Sequence, residues 1–207
     1  MLAAADVTAR YRGADVLTGI DFTVPPGAVV GLRGESGSGK TTLVRVLAGL
    51  LHPASGTVTV DGAALPKRGA DIAVVFQSPR AATNPRFTLR RIIGEPAAIR
   101  GDRPDLEALA ATTGLTPDLL DRRPHEVSDG QLQRACLARA LAQNPRYLLC
   151  DEATAMLDAA TTAAVMHVIR SRADTGTGVL LVSHDEDLLG ATCTRTTTLA
   201  GGSIHPG

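Results

Sequence analysis

Hydrophobic and polar residues alternate near the start of the chain, in two runs that a glycine separates. The runs are ADVTARY, from Ala5 to Tyr11, and LTGIDFTV, from Leu17 to Val24, with Gly13 between them. Alternation with a period of two is typical of strands that bury one face, and a glycine between two such runs indicates a turn. We therefore predict antiparallel strands here, ended by the turn at Pro25–Gly27.

Short continuous apolar runs follow these strands, and polar turn residues bound each run. Runs of this length are typical of strands buried on both faces of a parallel sheet. Segments with helical spacing lie between them, at Lys40–Leu50 and Ala159–Arg172. This alternation predicts an α/β core with a parallel sheet. A further alternating strand is expected at Gly56–Gly62, and a closing hairpin around Gly201 and Gly202. The apolar runs are Ala28–Leu32, Ile72–Phe76, Tyr147–Cys150 and Val179–Val182.

The stretch from residue 78 to residue 143 shows a different pattern. Prolines separate short helical segments that are rich in Ala, Leu and Arg, and the last segment runs from Gly130 to Gln143. Prolines interrupt helices, so several short helices are expected rather than one long one. We predict an α-helical subdomain inserted into a single domain, with the core and the β subdomain in residues 1–77 and 144–207.

The most specific motif is GESGSGKTT at Gly34–Thr42, which we name the phosphate cradle. It matches G-x-x-x-x-G-K-[ST] between a predicted strand and a predicted helix, where backbone N–H groups and the helix dipole meet phosphate. A dinucleotide fingerprint would need glycine in place of Thr42, so a nucleoside triphosphate is favoured. Lys40 would meet the β- and γ-phosphates, and the Thr41 hydroxyl would hold Mg²⁺. The expected phosphate-binding residues are Gly34, Glu35, Ser36, Gly37, Ser38, Gly39, Lys40, Thr41 and Thr42.

Two adjacent carboxylates, Asp151 and Glu152, follow the apolar run YLLC. Ligands of open α/β sheets bind at the carboxyl ends of the strands, which is where this pair is expected. Asp151 would hold Mg²⁺ and Glu152 would deprotonate the attacking water. The alternative is that the two carboxylates serve only as the N-cap of the next helix. The intact phosphate cradle upstream makes this alternative less favoured.

Composition excludes several classes of partner and compartment. The chain of 207 residues has 21 basic and 21 acidic residues, so its charge gives no reason to expect nucleic acid. No apolar run approaches the roughly 18 residues of a spanning helix, and the N-terminus carries charges rather than an apolar signal region. We expect a cytosolic protein that reaches a membrane only through a partner. Its cysteines, Cys136, Cys150 and Cys193, are expected to be reduced and mostly packed.

A longer segment, PHEVSDGQLQRACLARAL at Pro124–Leu141, resembles the signature of ATP-binding cassette (ABC) ATPases. In that family LSGGQ precedes a basic helix, and Val127–Gln131 occupies its five positions here. The order of motifs along nearly the whole chain is also similar to that of the family. That order is Tyr11, the phosphate cradle, Gln77, the signature, Asp151 with Glu152, Asp158 and His184.

The resemblance implies that two subunits face each other head to tail, with each ATP between one cradle and the opposite signature. It implies ATP and Mg²⁺ as cofactors and a second ABC ATPase subunit, identical or different, as a partner. Taken singly, Tyr11, Gln77 and His184 would be an ordinary aromatic, a loop residue and a strand-end residue. By the resemblance, adenine would stack on Tyr11, and Mg²⁺ would be bound by Thr41, Gln77 and Asp151. Glu152 would activate the attacking water, and Asp158 would contact the opposing cradle. The γ-phosphate would be bound by His184 and, from the partner, by Ser128, Gly130 and Gln131.

Two residues depart from the family pattern. Asp129 stands where the signature has its first glycine, which brings a carboxylate near the expected γ-phosphate. At about 5 Å and an effective dielectric of about 20, the repulsion would be roughly 3 kcal/mol before screening. We expect the side chain to point away and to cap the signature helix. Ala155, where the family more often has serine, would remove one contact between subunits.

The segment FQSPRAATNPRFTLRRIIGEP, at Phe76–Pro96, resembles ATPases of peptide and nickel importers. It implies an energy-coupling subunit for uptake of peptide, nickel or a similar small solute, with permease subunits docked near Gln77 and the helical subdomain. Accessory ATPases of carbon–phosphorus lyase carry similar segments. A soluble ABC ATPase without a permease, such as one accessory to phosphonate breakdown, therefore stays open as the alternative.

Overall fold

The strands of the protein form two separate sheets. We describe a computed structural model that covers residues 1–11, 13–65, 71–155 and 157–206, with backbone only at Tyr11 and Pro206. Within these ranges the strands are β1 Leu2–Tyr11, β2 Ala14–Val24, β3 Val29–Arg33, β4 Ser55–Val60, β5 Ala63–Ala64, β6 Ile72–Val75, β7 Tyr147–Asp151, β8 Gly178–Val182, β9 Arg195–Ala200 and β10 Ser203–Pro206.

The smaller sheet has the order β2-β1-β4-β5 and is antiparallel throughout. The larger sheet has the order β10-β9-β3-β8-β7-β6, in which all neighbours are parallel except the pair β9 and β10. The predicted antiparallel start, parallel core and closing hairpin are therefore all present.

Helices connect the parallel strands and fill the stretch between β6 and β7. The helices within the described ranges are α1 Lys40–Leu47, α2 Leu89–Arg100, α3 Leu106–Thr112, α4 Asp129–Leu141, α5 Ala159–Asp174 and α6 Glu186–Thr192. Helix α1 ends three residues before the predicted Leu50. It stops because Gly49 turns left-handed at φ 70° and the Leu50 N–H bonds back to the Arg45 carbonyl. None of the described helices is long and apolar enough to cross a bilayer.

The parallel sheet buries both of its faces. Alternate residues of β3 and β8, such as Val30 and Leu180, face α1 and the smaller sheet, while Val29 and Leu181 face the opposite helices. This two-sided burial is why these strands read as continuous apolar runs. Helix α1 thus lies between the two sheets and starts at the carboxyl end of β3.

Helices α2, α3 and α4 share a third apolar cluster, built on residues such as Leu89, Ile93 and Leu132. These helices therefore have a small apolar core of their own between β6 and β7. The cysteines are all free, and burial raises the pKa of the Cys150 thiol to about 12 and that of Cys136 to about 11. At neutral pH these thiols stay protonated and unreactive.

Candidate functional site

The phosphate cradle lies at the carboxyl end of β3, where glycines turn the chain into α1. Gly39, directly before the helix, has φ 106°, a left-handed conformation that other residues rarely adopt. A Cβ atom on Gly34 would overlap the Leu199 carbonyl oxygen, and one on Gly39 would lie 2.9 Å from Leu17 Cδ2. The shape of the loop therefore requires glycine at both positions.

Two polar groups of the cradle are poised for an anion. The Lys40 side chain is only 7% exposed, and its Nζ donates to the carbonyls of Gly34 at 2.7 Å and Glu35 at 2.8 Å. An ammonium group has three donors, so one remains for a further acceptor. The Ser38 hydroxyl is buried without a hydrogen-bond partner among the described residues. A phosphate oxygen would satisfy both groups, so the cradle fits a triphosphate.

Asp151 ends β7 beside α1 and is only 2% exposed. Burial raises the pKa of this carboxyl above its ordinary value; a hydrogen bond from Thr41 opposes the shift, and repulsion from Glu152 adds to it. A buried carboxylate beside a hydroxyl is a costly arrangement that a divalent cation would stabilise. Oxygen donors of this type are those that Mg²⁺ prefers, so Thr41 and Asp151 fit this metal.

Glu152 has an unusual backbone, with φ 51°, and its N–H donates to the Val182 carbonyl at 3.1 Å. Its half-buried carboxylate accepts a hydrogen bond from Gln77 Nε2 at 2.7 Å. Gln77 is exposed just beyond the end of β6, so two neighbouring strands of the parallel sheet bring these side chains together. The sequence predicted both as site residues without predicting their contact.

His184 is exposed beyond the end of β8 and lines two clefts. One cleft, of about 760 Å³, is shared with the cradle from Gly34 to Ser38 and with Arg33 and Glu186. The other, of about 500 Å³, is shared with Glu152. His184 therefore stands at the border between the expected phosphate position and the expected base.

The signature residues line a separate cleft of about 280 Å³. Ser128, Gly130 and Gln131 share it with Asp158, and none of them lines the cradle cleft. Asp158 caps α5, accepting from the Thr161 N–H at 2.9 Å and the Thr161 hydroxyl at 2.8 Å. Within one chain the cradle and the signature are therefore not brought together. The side chain of Tyr11 lies outside the described residues.

Helix α4 begins differently from the prediction for Asp129. Ser128 is the N-cap, accepting from the Gln131 N–H at 3.2 Å, while Gln131 accepts from the Ser128 N–H at 2.9 Å. This reciprocal capping box leaves Asp129 as the first helical residue. Its carboxylate lies 2.6 Å from Nη2 of Arg80. The expectation that Asp129 caps the helix is therefore wrong, because serine already accepts the free N–H.

Sequence reasoning missed two arginines near the site. Arg80 contacts the signature region, and Arg33 lies 2.6 Å from Glu186 while donating to Thr198 at 2.8 Å. Arg33 directly precedes Gly34, and Arg80 follows Gln77 by three residues. The sequence does show a charged residue close to a site motif in each case, but it does not reveal which residues each arginine contacts.

Comparisons with known proteins agree on a family. The ABC transporter family profile matches residues 17–155. The chain is 38% identical to the nickel import ATP-binding protein NikE of Escherichia coli K12, over 94% of this chain and 78% of that protein. It is 40% identical to NikE of Rhodospirillum rubrum, over 94% and 76% respectively.

Solved structures agree with the sequence relatives. The dimeric structure of the bacterial ABC transporter cassette MJ0796 has a TM-score of 0.90 and 26% identity, covering 99% of this chain and 97% of that one. The same cassette in a dimeric post-hydrolysis state with ADP and Pi also has a TM-score of 0.90 and 26% identity, over 100% and 98%. With the family profile across most of the chain and these relatives, the protein belongs to the ABC transporter family, as one of its ATP-hydrolysing cassettes.

Proposed function

We propose that this chain is the energy-coupling ATPase of an importer for nickel, peptide or a similar small solute. The observation that carries the proposal is the 38% and 40% identity to two nickel import ATP-binding proteins over 94% of the chain. The importer-like segment Phe76–Pro96 agrees with it, since this segment includes Gln77 and the first part of α2, where a permease is expected to dock.

We further propose that two copies of this cassette close around ATP, each completing the other's site. The signature residues and the cradle line different clefts of one chain, so one chain offers only half of the contacts that the motifs require. The related cassette MJ0796 was solved as a dimer. Ser128 and Gly130 at the start of α4 suit a phosphate from a partner, because a helix N-terminus attracts anions. Gln131 and Asp158 lie in the same cleft.

In this proposal the cradle binds the triphosphate and fixes its orientation. The third donor of Lys40 and the Ser38 hydroxyl would bond to phosphate oxygens, and the loop glycines let the backbone N–H groups approach. Thr41, Asp151 and Gln77 would hold Mg²⁺, which neutralises charge on the β- and γ-phosphates when bound. Tyr11 would stack on adenine.

Glu152 would act as the general base. Its carboxylate would take a proton from water as the water oxygen bonds to the γ-phosphorus and the bond to the ADP oxygen breaks. Gln77 already holds the Glu152 carboxylate at 2.7 Å, and so would orient it toward that water. His184, which lines both neighbouring clefts, would donate a hydrogen bond to the γ-phosphate.

Coupling to transport would run through a permease docked near Gln77 and the helical subdomain. ATP would bind the closed dimer better than the open one, and hydrolysis would remove that difference. The cassette would then work on the cytoplasmic face of the membrane, attached through the permease.

The test is purification of the tagged full-length chain from detergent-solubilised membranes of its host. We expect a hydrophobic permease to co-purify, and the purified complex to show ATPase activity that nickel or peptide stimulates. Recovery with soluble proteins alone would overturn the importer function and favour the soluble ABC ATPase.

A further inference from the structure

Arg80 makes several contacts with the segment that carries the signature. Its Nη1 donates to the Pro124 carbonyl at 2.9 Å, and Nη2 donates to the Val127 carbonyl at 3.3 Å. The same Nη2 lies 2.6 Å from Asp129 Oδ1. One guanidinium thus binds the chain on both sides of Ser128, which is the cap of α4.

The Asp129 carboxylate lies half-exposed beside residues that, in the proposed dimer, meet the partner's γ-phosphate. It follows Ser128 and precedes Gly130 directly, so a free carboxylate here could turn toward the incoming phosphate. The oxygen that faces Arg80 is buried from solvent, although 45% of the side chain is exposed. This oxygen accepts no hydrogen bond from the described residues, so its contact with Arg80 is that of an ion pair, which places a positive charge beside it.

Arg80 is itself held on a segment that is tied to the signature helix. Gln133 of α4 donates to the Phe76 carbonyl at 3.0 Å, and Arg139 of α4 donates to the Ala82 carbonyl at 2.7 Å. These bonds lie before and after Arg80 in sequence. The arginine is therefore presented to Asp129 from a fixed backbone.

We propose that Arg80 is a positioning residue that neutralises Asp129 and holds its carboxylate away from the partner's γ-phosphate. The inference rests on the proposed composite dimer, since only there does a phosphate reach this signature. Without Arg80 the carboxylate repels the nucleotide, and closure of the dimer needs more ATP. With this ion pair, a signature that has aspartate in place of its first glycine can still support ATP-driven closure of the dimer.

The test is a double-mutant cycle in the full-length chain, with Arg80→Gln measured in the wild-type and in the Asp129→Asn background. The readout is the ATP concentration that gives half-maximal ATPase rate. We expect Arg80→Gln to raise it at least ten-fold when residue 129 is aspartate and less than two-fold when it is asparagine. The ten-fold effect should shrink as ionic strength rises, because salt screens repulsion.

A purely structural role for Arg80 predicts a different result. Loss of its bonds to the Pro124 and Val127 carbonyls would impair both backgrounds equally and would not respond to salt, and that outcome overturns the inference. Arg80→Lys keeps the charge and should raise the ATP concentration less than Arg80→Gln; an equal effect would count against the charge argument. Arg86→Gln, an exposed arginine of the same segment, is the control.

ATP-dependent dimerisation, measured by gel filtration of Glu152→Gln chains, separates this inference from the proposed dimer. If the chains stay monomeric with ATP, the composite site and this inference both fail. If the chains dimerise but the effects of Arg80→Gln and Asp129→Asn are additive, only the proposed role of Arg80 is wrong.

Discussion

At the scale of single residues, Glu152 is held by its backbone as much as by its side chain. A left-handed φ of 51° is costly for a glutamate, and the N–H bond to Val182 at the end of the neighbouring β8 maintains it. The conformation turns the chain sharply after Asp151, so that adjacent residues can have different tasks. Asp151 stays buried beside α1, and Glu152 points to Gln77.

Replacing Glu152 with glutamine tests its role as base. The amide cannot accept the proton, so we expect turnover to fall roughly 10²- to 10⁴-fold while ATP binding persists. The unhydrolysed ATP should trap a dimer that gel filtration detects. Glu107→Gln, with the same chemical change at an exposed site, should leave the rate of hydrolysis unaltered. Turnover at the wild-type rate in Glu152→Gln would exclude this residue as the base.

Asp151→Asn tests the cost of the buried carboxylate. Because burial raises the pKa of Asp151, its ionised form destabilises the folded state, and removing the charge should raise stability at neutral pH. We expect a gain on the order of 1 kcal/mol, or about 2–4 °C in Tm, together with loss of Mg²⁺-dependent ATPase activity.

The pH dependence of that gain has a definite sign. Wild-type Asp151 becomes protonated as the pH falls through its raised folded-state value, and the penalty then disappears. The Tm values of the wild type and of Asp151→Asn should therefore be similar at low pH and should differ increasingly as the pH rises. Thermal unfolding without nucleotide measures this; an asparagine chain that is less stable at neutral pH would contradict it. Asp174→Asn, an exposed carboxylate at the end of α5, is the control.

At the scale of elements, the residue that caps α4, Ser128, is also proposed to bind the partner's phosphate. Ser128→Ala should lose the cap and about 1 kcal/mol of stability, measured by urea unfolding. Aspartate also caps helices well, so Ser128→Asp should keep that stability. It would nevertheless add a carboxylate where the partner's phosphate is expected, and ATP-driven dimerisation should fail. A Ser128→Asp chain that dimerises normally would remove Ser128 from the composite site.

What the sequence could predict depends on how local each feature is. The cradle was predictable because Gly34, Gly39 and Lys40 act within one short loop. The bonds from Arg80 to the Pro124 and Val127 carbonyls were not predictable, because they join residues 44 and 47 positions apart in sequence and depend on how α4 packs. For Asp129 the predicted cap was one residue too late, because Ser128 and Gln131 form a reciprocal capping box and leave Asp129 as the first helical residue.

At the scale of the whole molecule, the kinds of sheet followed from the hydrophobic pattern, whereas the strand order did not. Continuous apolar runs predict burial on both faces, yet they do not specify that β3 lies between β9 and β8. That order matters because it brings the ends of β3, β7 and β8 together, and with them the cradle, Glu152 and His184. The signature lies on an inserted helix outside this arrangement.

The separation of cradle and signature leads to a test that uses two inactive chains. Lys40→Ala should weaken ATP binding by about 10- to 100-fold, because it removes a charge-assisted donor, and Ser128→Asp should block the opposite half-site. A mixed dimer has one site with both defects and one site with neither. Equal mixing should therefore restore up to about a quarter of the wild-type ATPase rate, since half of the dimers are mixed and each keeps one of two sites. If each chain carried a complete site, mixing would restore nothing.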